Sequence, residues 1–250
     1  MLTIADGLSQ GMILAMIQTG DGFIWLATKD GLNRYDGYGF DVFVNNPFDP
    51  YSIEGNESNL LYEDHNANIW INLPHKGLDL LEKKTGKFYH LTRLPGYDGS
   101  IEVTSMAETL DGSIWLGTPA GLYRLRWKNP LWATEGLPDA PELNDRFEIQ
   151  CFQPESSVPG RSHIFQLQAA ADGSLYINSG KIYDWKPGYP GPVKRLDSDK
   201  PGPMYPSIRG GVMVVLDKSF AWIDPDGQNY LVPKTAPFFA PQFCGMADKK

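Results

Sequence analysis

The stretch DGFIWLATKDGLNRYDG, Asp21 to Gly37, sets Trp25 in an apolar run between two Asp-Gly turns, and DGSIWLGTPAGLYRL, Asp111 to Leu125, nearly repeats it. A tryptophan flanked the same way twice indicates an architecture made of copies. Alignment on Trp25 adds NANIWINLPHKGLDLL around Trp70 and DGSLYINSGKIYDW around Tyr176. Trp25, Trp70 and Trp115 are spaced evenly at 45 residues, and Tyr176 follows Trp115 after 61. A fifth, weaker copy, GGVMVVLDKSFAWIDPDG, has Val214 at the aromatic position and Gly210-Gly211 in place of the Asp-Gly turn. Periods of about 40 to 50 residues belong to β-propeller blades and to some helical arrays, and the alternation and turns here exclude helices.

Each copy reads as four strands. In the first, Met12 to Thr19 is the inner strand, Asp21-Gly22 the hairpin and Phe23 to Thr28 the second strand. Lys29 to Gly31 then turn into a third strand, Leu32 to Asp36, and Phe40 to Val44 is the outer strand. Asp-Gly suits a two-residue hairpin with both central residues at positive φ. The second strand, FIWL, is apolar on both faces, as expected of a blade packed between neighbours, so the tryptophans are expected to fill the gaps between blades. The long third interval is an insertion between third and fourth strands: after Leu122 to Trp127 comes KNPLWATEGLPDAPELNDR, and the next strand begins at Phe147. Two connections between copies are also long, Asn45 to Asn59 and Pro187 to Pro206, and such loops are where rigid scaffolds carry function.

The expected fold is therefore all-β, a propeller of four-stranded blades near residues 8–44, 57–92, 101–153, 163–197 and 204–233, with the start of a further blade at 242–250. MLTIADG aligns with HLTRLPG, His90 to Gly96, and CGMADKK resembles LLYEDHN ahead of Trp70. Both ends thus read as cuts, and the expectation is about five blades plus part of a sixth, an open segment of a longer protein.

Bulk composition agrees with this class. The chain has 250 residues, 42% hydrophobic and 12% aromatic, with 26 Gly and 20 Pro, enough apolar material for a core and too many helix breakers for long helices. A net charge of -8 with no basic run argues against nucleic acid as a partner. No apolar run reaches the roughly 20 residues that cross a bilayer, so any membrane attachment is expected through segments outside this chain. Cys151 and Cys244 have no metal-ligand spacing and read as small buried strand residues, with their disulfide state left open.

Three stretches carry a resemblance to a known family: GLSQGMILAMIQTGDGFIWLATKDGLNRYDGYGFDVF (Gly7 to Phe43), SNLLYEDHNANIWINLPHKGLDLLEKKTGKFYHL (Ser58 to Leu91) and SMAETLDGSIWLGTPAGLYRL (Ser105 to Leu125). They resemble the two-component regulator propeller repeat, found in the periplasmic sensor region of hybrid histidine kinases of Bacteroidetes. The resemblance implies propellers of about seven blades, a non-catalytic sensor segment outside the cytoplasmic membrane, an oligosaccharide ligand and a homodimeric parent receptor whose remaining blades and downstream domains are partners. It assigns no ligand-binding residue.

Chemistry is sparse in the sequence. His65, His75, His90 and His163 share no metal-pair spacing and read as solvated or hydrogen-bonded surface residues. The acidic strings at Asp224 to Gly227 and at Asp197 and Asp199 lack the continuation of a calcium loop, and no serine elbow occurs, so no catalytic residue, metal or cofactor is expected. Turns between second and third strands share one rim with the connections between copies. That rim is expected to display Lys29, Asp30, Tyr51, His75, Lys76, Tyr97 and Tyr189, whose aromatic, charged and polar groups suit sugar rings. The rival readings are a propeller polysaccharide lyase or glycoside hydrolase, and a protein-binding scaffold.

Overall fold

The computed structural model describes residues 3–96, 101–137, 139–155, 163–198, 201–207 and 209–233. Tyr97, Asp199, Cys244 and the stretch 242–250 lie outside the described residues. The described chain is all-β. Its first sheet contains β1 (Ala15–Gln18), β2 (Ile24–Ala27), β3 (Leu32–Tyr35) and β4 (Phe40–Phe43). The second contains β5 (Leu60–Glu63), β6 (Ile69–Leu73), β7 (Gly77–Glu82) and β8 (Lys87–Leu91). The third contains β9 (Ser105–Glu108), β10 (Ile114–Thr118), β11 (Gly121–Trp127) and β12 (Phe147–Phe152), with a single helical turn, α1 (Leu131–Thr134), inside the insertion between β11 and β12. The fourth contains β13 (Gln166–Ala169), β14 (Leu175–Asn178), β15 (Ile182–Trp185) and β16 (Val193–Leu196). The fifth contains β17 (Met204–Pro206), β18 (Val212–Val215), β19 (Ser219–Ile223) and β20 (Asn229–Pro233). Strand order follows chain order in every sheet, so each is a four-strand meander.

The first hairpins of the five sheets share one geometry, and it differs from the two-residue turn expected of Asp-Gly. Gly22 N–H donates to Thr19 O at 2.8 Å and Thr19 N–H to Phe23 O at 3.0 Å. The same pair of bonds recurs at Asp64, Thr109, Ala170 and Ser207. In each loop the final residue has positive φ: 91° at Gly22, 63° at Ala67, 74° at Gly112, 83° at Gly173 and 79° at Gly210. A three-residue loop that ends in a left-handed residue matches the strand twist as well as a primed turn does, and needs only one glycine. Ala67 alone holds this position with a side chain. Ala67→Gly is therefore expected to stabilise the chain by about 1 kcal/mol, read as a higher urea midpoint with unchanged slope.

The described chain divides into two compact units, Met1–Val103 with Leu125–Ile149 and Thr104–Arg124 with Gln150–Lys250. In the first, the inner faces of sheets one and two form one core. Trp25, Ala27 and Leu32 pack with Leu61, Ile69, Ile71 and Phe88, and Ile53 from the connection completes the cluster. Trp25 stacks on Phe43 at 5.5 Å, and Phe43 meets Phe88 edge-on at 5.8 Å. Sheet two is buried throughout β6 and β7, whereas β1 alternates between half-buried and exposed. Trp70 points to the other face of sheet two, 5.9 Å from Phe147.

In the second unit Trp115 and Leu122 pack with Ile164, Leu175, Ile177 and Trp185, and the Trp115 and Trp185 rings lie 4.8 Å apart. Tyr176 takes the tryptophan position on sheet four and faces Val212, Val214 and Ala221 of sheet five. Cys151 is exposed, which corrects its reading as a buried residue: β12 is the outermost strand of its sheet and turns this side chain outward.

Candidate functional site

The connection from Asn45 to Asn59 is a built element. Asn45 N–H donates to Asn56 Oδ1 at 2.7 Å, Asn45 Nδ2 to Ile53 O at 2.8 Å, and Asn46 N–H to Ser52 Oγ at 2.9 Å. Its second half bridges the tops of two sheets. Gly31 N–H donates to Asn56 O and Ser58 N–H to Thr28 O, which fixes it to the β2–β3 turn; Lys76 faces Glu54 at 3.9 Å, next to the β6–β7 turn. Lys29 and Asp30 are exposed on the first of these turns, His75 and Lys76 on the second.

His75 occupies an unusual backbone position, with φ of 66°. Pro74 precedes it and Lys76 N–H donates to Leu73 O, the signature of a type II turn whose third position ordinarily holds Gly or Asn. Non-glycine residues held in this region store about 1–3 kcal/mol of strain and concentrate at functional sites.

Beneath the connection lies a charge pair that the sequence did not disclose. His90 on β8 and Asp79 on β7 are 5% and 2% exposed, and Nδ1 meets Asp79 Oδ1 at 2.7 Å. The other ring nitrogen donates to Pro50 O at 3.0 Å, and Asp79 Oδ2 accepts Glu54 N–H at 2.8 Å. Burial alone would lower the His90 pKa; the hydrogen bond and charge of Asp79 outweigh it and raise the pKa from 6.5 to about 9. The pair thus clamps the connection at two points. His90 is not the surface histidine expected, because residues of β8 alternate between faces and position 90 falls on the core side, opposite Asp79.

Tyr51 stands apart from the rim. Its carbonyl accepts Phe88 N–H at 2.9 Å, which sets it along the outer edge of sheet two. There its hydroxyl donates to Asp139 Oδ1 at 2.8 Å, Lys87 Nζ lies 4.3 Å above its ring, and Lys87 pairs with Asp139 at 3.1 Å. The hydrogen bonds from Tyr51 and Lys87 hold the Asp139 carboxyl below the usual carboxylate range. Farther along, His90 N–H donates to Pro141 O and Leu143 N–H to His90 O, so the insertion between β11 and β12 covers the free edge of β8. Tyr189 belongs to the second unit, where its carbonyl accepts Trp185 Nε1–H at 3.2 Å and its side chain packs on the core. Of the expected site residues, Lys29, Asp30, His75 and Lys76 flank one bridging segment, and Tyr51 belongs to a separate cluster.

No family model matches the chain. A stretch of 51 residues, 20% of this chain, is 45% identical to histidine kinase P4 of Formosa agariphila and spans 4% of that protein. In fold, the chain is similar to the extracellular domain assigned to hybrid two-component system BT3049 of B. thetaiotaomicron, at 21% identity and a TM-score of 0.65, covering 93% of this chain and 32% of that one. It is also similar to virginiamycin B lyase of Staphylococcus aureus, at 12% identity and a TM-score of 0.62, covering 89% of this chain and 70% of that one. The chain thus spans about a third of the extracellular domain that it matches in fold. The chain is therefore similar in fold to extracellular domains of hybrid two-component systems and, over one stretch, in sequence to a histidine kinase.

Proposed function

We propose that this chain is a ligand-sensing β-propeller segment of a periplasmic two-component receptor, that its five sheets are blades of an open propeller with part of a sixth, and that oligosaccharides are its ligands. The observation that carries the reading is the recurrence of one blade pattern around Trp25, Trp70 and Trp115, joined to the likeness in fold to extracellular receptor domains. The segment itself is non-catalytic. Further blades, downstream domains and a second copy of the receptor are its partners. A bound glycan shifts the receptor only through unequal affinity for its two dimer arrangements.

The rim over the first unit is the proposed place of binding, with Lys29, Asp30, His75 and Lys76 as its polar groups. His75→Gly separates binding from folding. It relieves the positive-φ strain and is expected to raise stability by about 1 kcal/mol while weakening glycan affinity at least fivefold. Equal affinity in the stabilised variant would remove the rim from the reading. The likeness to a lyase keeps an enzymatic reading in view. Incubation of the purified chain with a glycan panel decides between the two: binding with no products supports the sensor, and accumulating products support the enzyme.

A further inference from the structure

The insertion touches sheet two through Leu137, Asp139 and Asn144, and a cleft opens beside the first two of these contacts. Leu137 N–H donates to Glu82 Oε1 at 3.2 Å, Asp139 holds Lys87 and Tyr51, and Asn144 Oδ1 accepts Thr92 N–H at 2.9 Å. Trp132, the aromatic residue of α1, lies under the Arg146 guanidinium at 5.0 Å. The insertion and the β7–β8 turn together enclose a cavity of about 410 Å³, within the range of small-molecule sites, roughly 300–1,000 Å³.

Its lining has a distinct chemistry. Trp132 and Tyr89 supply aromatic surface, and Asn66 and Asn68 supply amides from the β5–β6 hairpin. Tyr89 is 2% exposed and lines the cavity. A phenol that lines a cavity can both donate a hydrogen bond to a ligand and accept one from it. The strongest charges are already used: Lys87 is paired with Asp139, and the buried Glu82 accepts Thr85 Oγ1–H at 2.5 Å as well as Leu137 N–H. Glu82, Glu135 and Asp139 against Lys84 and Lys87 leave the lining slightly acidic, with no positive field for an anionic ligand.

We infer that this cleft is a second binding site, separate from the rim, that takes an uncharged saccharide with one ring face on Trp132 and a hydroxyl on Tyr89. The inference rests on the sensing role proposed above and adds a second location to it. The ring of a neutral sugar offers apolar C–H patches to the indole, and its hydroxyls match the amides and the phenol.

The test is an NMR titration of the full chain with cellobiose, maltose, laminaribiose and mannobiose. Binding in the cleft is expected to shift the Thr85, Gly136 and Leu137 amides, and Trp132→Ala and Tyr89→Phe are each expected to weaken it at least tenfold. Tyr89→Phe retains the packed ring, and Trp132 is only half-buried, so thermal midpoints should stay near wild type. The inference is overturned if none of the four disaccharides shifts these amides, or if both variants titrate like wild type. Shifts confined to Gly31 and Gly77 on the rim would sink the cleft and leave sensing intact, whereas cleavage of the sugars would sink the sensing role itself.

Discussion

His90→Ala is expected to destabilise the chain by about 3–5 kcal/mol, among the largest losses open to any single side chain here. The reason is the charge left behind. Asp79 is 2% exposed, and without the imidazole its carboxylate keeps one hydrogen bond, from Glu54 N–H, in a site closed to water. Asp79→Ala should cost a similar amount by stranding the imidazolium. The double variant should cost clearly less than the sum of the singles, because each substitution removes the charge that the other strands. Urea unfolding of all four proteins measures this, and additive losses would mean that the pair is not coupled.

The same pair gives stability a pH dependence of definite sign. His90 is raised from 6.5 unfolded to about 9 folded, so the native state binds the proton more tightly. Its contribution is complete below pH 6.5 and is lost as pH rises through about 9. Urea midpoints of the wild-type chain should therefore fall between pH 6.5 and 9.5, and His90→Gln should flatten that decline. A wild-type profile that rises over this interval would show that the ring is neutral in the fold.

What the sequence disclosed and what it hid divide along the range of the interactions. Strand positions follow from local alternation and from turn residues, so β1 to β4 fall inside the four segments expected of the first copy, and β12 begins at Phe147 as expected. The indole contacts follow as well, since a strand apolar on both faces has to be covered on both. Hidden were side-chain pairings between strands and with distant loops. Nothing near His90 marks Asp79 or Pro50 as its partners, and nothing near Tyr51 marks Asp139. The insertion reads as a polar loop because only the folded chain brings Pro141 to β8 and Trp132 to the β7–β8 turn. One local signal was available and went unread. The residue six before Trp70, Asp64, accepts its indole N–H at 3.1 Å, and Thr109, six before Trp115, does so at 3.0 Å.

That signal leads to the second large effect. Trp115 is fully buried and lies against Trp185 and Phe152, with the Arg124 guanidinium 5.3 Å from its ring centroid and 4.6 Å from that of Trp185. Arg124 is held in place by Ser113 at 2.9 Å and Asp111 at 2.5 Å. Trp115→Ala removes the ring, the cation contact and the bond to Thr109 together, and is expected to cost about 3–5 kcal/mol. Replacement by phenylalanine isolates the hydrogen bond. Trp115→Phe leaves the buried Thr109 hydroxyl without its indole donor, whereas the Trp25 N–H is buried with no acceptor among the described residues. Trp25→Phe therefore removes an unsatisfied donor and should cost about 1 kcal/mol less than Trp115→Phe. Equal losses in denaturant unfolding would show that ring volume alone decides the stability of these sheets and that the residue six positions upstream contributes nothing.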